Sequence, residues 1–182
     1  MNSYFIHFNI NYDLLLSVYK SPTMRENLEK IKNIPLENSV VYIYGYRGTE
    51  KSYILKLILS RIYNYNLVEI TGDLNKKIPK RENTVYVIND IEKTDISFIF
   101  KEVNSFKCVV FLEDLDYNIL FKEGKINSEK YNILKEACKI YLPPFNERKQ
   151  DIVPIANMLL HEISGFFNLP VKELSKEAKE AI

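Results

Sequence analysis

The chain has 182 residues, of which 46% are apolar and 27% charged, with a formal net charge of +1. That is one domain of ordinary size, or one domain and a fragment of another, with enough apolar material for a real core. The charge balance excludes a bulk electrostatic case for nucleic acid or an anionic membrane.

Two cysteines are too few for a disulfide framework. Cys108 in an apolar run and Cys138 at the end of a helical pattern read as buried, reduced thiols, as in an intracellular protein. The opening residues, MNSYFIHFNINY, lack the basic start and unbroken apolar segment of a signal peptide, and no run is long enough to span a bilayer. The expectation is a soluble, cytoplasmic protein. Tyr, Asn, Ile and Lys are frequent throughout, which is background composition and no set of base-stacking platforms. His7 and His161 have no second histidine or cysteine at metal-ligand spacing.

In chain order, residues 4–12 alternate like a short strand or extended arm. A helix is predicted from Thr23 to Ile34, capped by Ser21 or Thr23, with Pro22 near its start and Met24, Leu28 and Ile31 on one face. Val40 to Tyr44 is an apolar strand, followed by two glycines, Lys51-Ser52, and a helix running to about Tyr63. Further strands are predicted at 66–71, 84–91, 107–112 and 139–142, the last stopped by Pro143-Pro144. Helices are predicted at 95–106, 128–138 and 151–167, and a last one from Ser175 still running at Ile182. Continuous apolar strands alternating with helices predict a parallel sheet covered on both faces.

The stretch from Val40 to Ile54, VVYIYGYRGTEKSYI, has the strand, loop and helix order of a phosphate-binding P-loop, G-x-x-x-x-G-K-[ST], with one substitution. Gly45, Gly48, Thr49, Lys51 and Ser52 are the candidate phosphate-binding residues. In such a loop backbone N–H groups and the helix N-terminus converge on the phosphates, the lysine adds a point charge and the serine hydroxyl helps hold magnesium. Glu50, however, stands where the last glycine belongs. Two like unit charges about 4 Å apart repel by roughly 4 kcal/mol at an effective dielectric near 20. That corresponds to about a thousandfold in affinity, less whatever Arg47 or Lys51 neutralises.

Two further segments carry a family resemblance. Ser21 to Ile31, SPTMRENLEKI, resembles the opening helix of the AAA+ domain of sigma-54-dependent bacterial transcription activators, the enhancer-binding proteins. Tyr141 to Ile152, YLPPFNERKQDI, resembles the segment that joins that family's α/β core to its helical lid. Between them lie the P-loop, an acidic strand end and Gly124-Lys125 in the expected order. The resemblance implies a three-layer P-loop NTPase fold with a five-stranded parallel sheet, divided into an N-terminal extension (1–20), an α/β core (21–146) and a shortened helical lid (147–182).

The resemblance also implies ATP or ADP with magnesium as ligand, yet most of the family's functional positions differ here. Where the family has an Asp-Glu pair for magnesium and water, this chain reads Asn89-Asp90, which leaves Asp90 as the only catalytic candidate and Ser52 with Asp90 as metal ligands. Near the family's γ-phosphate-sensing asparagine stand Glu113 and Asp114. The positions of its arginine fingers fall on Asn127 and Ile133, and a finger is worth about 10³ to 10⁵ in turnover where one is used. The GAFTGA loop that touches the sigma factor is absent from the sequence, as are the second sensor arginine and a DNA-binding helix-turn-helix. The expected function is therefore a degenerate, sigma-54-activator-type AAA+ domain that acts as a transcription-regulatory binding module. It binds ATP weakly or not at all and does not hydrolyse it effectively. The expected partner is another protein or a second copy, with sigma-54 contact doubtful and neither direct DNA binding nor membrane contact expected. The alternative is an active ATP-hydrolysing AAA+ activator domain, and a decaying product without function is a third reading. The run Glu147-Arg148-Lys149 reads as a solvated turn, the basic pairs Lys76-Lys77 and Lys80-Arg81 as a solvated loop, and Asp114 with Asp116 as a polar strand end.

Overall fold

The computed structural model describes residues 12–35, 39–70, 83–96 and 108–181. Its contacts divide the chain into two compact units, Asn27–Pro144 and the pair of segments Met1–Glu26 and Phe145–Ile182. Two helices come first, α1 (Tyr12–Val18) and α2 (Pro22–Lys32), followed by strand β1 (Ser39–Tyr44). Helix α3 (Lys51–Leu55) continues as a π-type stretch over Lys56–Ile62. Then come β2 (Asn66–Ile70), β3 (Thr84–Asn89), β4 (Cys108–Glu113), α4 (Tyr117–Lys122), α5 (Ser128–Glu136), β5 (Cys138–Tyr141), α6 (Ile152–Phe166) and α7 (Lys176–Glu180).

The unit Asn27–Pro144 holds a five-stranded sheet in the order β2-β3-β4-β1-β5, and every pairing in it is parallel. All six residues of β4 are buried. Successive side chains of a strand point to opposite faces, so both faces of the sheet are covered, as the unbroken apolar runs predicted. On one face Tyr42, Tyr86, Ile88, Val109 and Phe111 pack with Leu120 of α4 and Leu134 of α5. The carboxyl ends of β1, β3 and β4 lie side by side, with Tyr44 in register with Glu113 and Asn89 with Leu112. In open parallel sheets that rim is where ligands bind.

The second unit is tied by a buried polar knot. Asp151 accepts the backbone N–H groups of Lys20 (2.5 Å) and Ser21 (2.7 Å) through Oδ1, and the Ser21 hydroxyl (2.7 Å) through Oδ2. The Arg148 guanidinium is fully buried, lies 3.9 Å from Asp151 and sits 4.2 Å from the centre of the Phe145 ring. Arg148 is thus no solvated turn residue: the carboxylate three positions on and the aromatic faces allow its burial.

Other expectations are corrected as well. Cys138 is exposed, because it opens the edge strand β5, whereas Cys108 is buried. Asp116 is the N-cap of α4, its side chain accepting from the Asn118 N–H, so it starts a helix that the sequence reading left out. Tyr12 begins α1, the rest of the predicted arm at 4–12 lying outside the described residues. Most of the predicted helix at 95–106 and the basic pairs at 76–81 also lie outside them. The terminal helix stops at Glu180. No helix among the described residues is long and apolar enough to cross a membrane.

Candidate phosphate-binding cleft

Beyond the carboxyl ends of β1, β3 and β4 lies a cleft of about 790 Å³ whose walls include Gly48, Glu50, Lys51, Ser52, Asp90 and Glu113. Every residue that lines it belongs to the unit Asn27–Pro144. Of the sequence candidates, Gly48, Lys51, Ser52 and Asp90 line this one space, whereas Gly45 and Thr49 do not.

The loop from Gly45 to Glu50 is held by backbone hydrogen bonds, one to β4 and one within itself. The Gly45 N–H donates to the Glu113 carbonyl (3.2 Å) and the Thr49 N–H to the Tyr46 carbonyl (3.2 Å). A side chain at Gly45 would collide with the Leu142 carbonyl oxygen and approach Thr49 Oγ1 to 3.0 Å, so only glycine lets the loop leave β1 this close to the chain after β5. Gly48 has φ +89°. Glu50 takes φ 66°, ψ 18°, a left-handed conformation that costs an ordinary residue about 1–2 kcal/mol. This is a backbone conformation that a glycine would adopt freely, at a residue that lines the cleft. Thr49 is buried and does not line the cleft.

Lys51 opens α3, and its side chain is only 10% exposed. Its ammonium donates to the Gly45 carbonyl (2.5 Å), the Tyr46 carbonyl (3.2 Å) and Asp114 Oδ1 (2.9 Å). Ser52 stands next to it, exposed on the cleft wall.

Asp90 follows β3 in a left-handed conformation, φ 65°, and its carbonyl accepts the Lys93 N–H and the Thr94 hydroxyl. Its carboxylate pairs with Lys93 Nζ at 2.5 Å. Ser52 and Asp90, the residues proposed as magnesium ligands, both line the cleft; among the described residues no cluster of three His, Cys, Asp or Glu is placed to hold a metal by itself. With one hydroxyl and one carboxylate from the chain, magnesium here would take its remaining ligands from nucleotide phosphates and water. The positions expected for arginine fingers are structural. Asn127 caps α5 by accepting the Lys130 N–H (2.9 Å), and Ile133 packs against the core.

Glu113 ends β4 with its side chain buried, and its Oε1 accepts the Ile91 N–H at 2.5 Å. Burial pushes its carboxyl up to about 7 from 4.5; the Ile91 hydrogen bond opposes the shift, and Asp90, Glu92 and Asp114 add to it. On β1 the Tyr42 hydroxyl donates to the Leu115 carbonyl. Burial, with Glu113 and Asp116 nearby, holds that phenol well above its ordinary pKa, so it remains a donor.

No family model matches this sequence, and no curated protein does. Solved structures do. NtrX from Brucella abortus, in complex with ADP, superposes with a TM-score of 0.69 at 13% identity, covering 88% of this chain and 44% of that one. The same protein with ATP gives 0.65 at 12% identity, with 88% and 46% covered. Domain III of the Thermotoga maritima replication initiation protein DnaA gives 0.54 at 15% identity, with 92% and 79% covered. The fold is that of the AAA+ P-loop NTPases. The chain spans a little under half the length of those NtrX chains.

Proposed function

We propose that this AAA+ domain is of the sigma-54-activator type and serves as an interaction module in transcriptional regulation. It holds ATP or ADP weakly and does not turn the nucleotide over effectively. The observation that carries this reading is the state of Lys51. All three protons of its ammonium are met by acceptors of the protein itself, so a phosphate must compete for a group that an open loop would offer directly. Glu50 on the cleft wall, Asn89 at the end of β3 and the capping role of Asn127 support the loss of turnover. Nucleotide binding at all is supported by the backbone of the loop and by its place at the rim of the sheet; NtrX of the same fold was crystallised with ATP and with ADP.

The output in this reading is contact with another protein or with a second copy of the chain. Sigma-54 itself is not the expected partner, because the sequence has no GAFTGA loop, and direct DNA binding is not expected either. Calorimetry with ATP and magnesium should give weak binding that Lys51→Ala abolishes, and phosphate release should stay at the level of that variant. A Lys51-dependent release of phosphate at steady state would overturn the reading in favour of an active ATPase, to which the retained Gly45, Gly48, Lys51 and Ser52 lend support.

A further inference from the structure

We propose that Asp114 is an internal competitor for the P-loop lysine, a carboxylate that occupies Lys51 in place of a phosphate and thereby sets the affinity of the cleft for polyphosphate. The inference rests on the nucleotide reading above and names the residue that governs it. An ammonium has three protons, and here the acceptors are two backbone carbonyls, of Gly45 and Tyr46, and Asp114 Oδ1. The carbonyls belong to the loop and cannot leave without remodelling it. Asp114 is the charged acceptor of the three, and its side chain is 60% exposed against 10% for Lys51. It can turn into water at the cost of little more than its own ion pair. The pair is therefore a latch with one fixed side and one movable side.

The position of the latch follows from the topology. Lys51 begins the helix after β1, and Asp114 is the first residue beyond β4, the strand paired with β1 in parallel register. The loop and the acid thus emerge from neighbouring strands at the same rim. Other acids also line the cleft, but Asp90 pairs with Lys93 and Glu92 lies 3.8 Å from Lys125, so neither touches Lys51.

A half-exposed ion pair contributes on the order of 1 kcal/mol, so opening the latch should tighten ATP about five- to tenfold. The test compares the whole chain with Asp114→Ala, Asp114→Asn and Glu92→Gln, measuring ATP affinity by calorimetry and, without nucleotide, the rate at which an acylating reagent modifies Lys51. Asp114→Ala should bind ATP five- to tenfold tighter and label Lys51 several-fold faster. Asp114→Asn, which keeps an acceptor but no charge, should fall between, and Glu92→Gln, which removes a cleft charge that does not touch Lys51, should label Lys51 at the parent's rate and tighten ATP less than Asp114→Ala does. An unchanged labelling rate in Asp114→Ala would overturn the latch. So would Glu92→Gln tightening ATP as much as Asp114→Ala, since the effect would then be the general field of the cleft. Faster labelling with no ATP bound up to millimolar concentration would uphold the contact with Lys51 and overturn the nucleotide reading.

Discussion

Glu113 is the residue whose chemistry departs furthest from its sequence appearance. In the run CVVFLE it ends an apolar strand, and nothing local distinguishes it from a solvated strand end. The fold buries it and gives it the Ile91 N–H as partner. Its carboxyl is raised to about 7 from an ordinary 4.5, so between those values the folded chain binds a proton that the unfolded chain has released. Stability from this group is therefore complete below about pH 4.5 and is lost as pH rises through 7. Urea unfolding should show a loss on the order of 2–3 kcal/mol between pH 5 and pH 8 that Glu113→Gln removes, the amide keeping an acceptor for Ile91. A pH profile identical in the parent and Glu113→Gln would show that the acid is not buried as described. Lys51 and Ser52, by contrast, were legible from spacing alone. Their partner was not: 63 positions separate Lys51 from Asp114, and only the pairing of β1 with β4 joins them.

At the level of elements, strands were read more surely than helices. The central strands β1, β3 and β4 are apolar runs largely buried on both faces, which leaves no competing periodicity, and all five predicted strands fall within a few residues of β1 to β5. Helix α4 escaped because YNILFK is a single short turn and a half, although Asp116 ahead of it was a usable cap signal. Arg148 escaped for a different reason. A basic residue among charged neighbours is ordinarily solvated, and its burial depends on Asp151 and on the segment around Ser21, 130 positions away from that acid. Asp151→Ala would leave Arg148 buried without its carboxylate and two backbone N–H groups without an acceptor. Thermal or urea unfolding should register a loss of roughly 3–5 kcal/mol, whereas a change below about 1 kcal/mol, the scale of an exposed pair, would mean the knot is solvated.

For the whole molecule, the sheet order explains why the fold does not depend on which polar residues line the cleft. The phosphate loop, the acidic end of β3 and the end of β4 are placed by backbone pairing and apolar burial, and neither requires the side chains that perform chemistry. Asn89, Asn127 and Ile133 fit their positions as strand end, helix cap and core residue without any nucleotide. Fold was therefore readable from apolar pattern, while the occupancy of Lys51 required the three-dimensional neighbours.

The hydroxyl that Tyr42 extends to the Leu115 carbonyl has a consequence for anyone wishing to make a polyphosphate sensor from this chain. Asp114 and Lys51 are each carried on backbone anchored to β1, one through that phenol and the other through the peptide chain itself. Under the proposed latch, its setting would be reached from the interior, through a residue that does not line the cleft. Tyr42→Phe should slacken the tether by one hydrogen bond and give an ATP affinity between those of the parent and Asp114→Ala. An affinity equal to the parent's would show that the anchor plays no part in the setting.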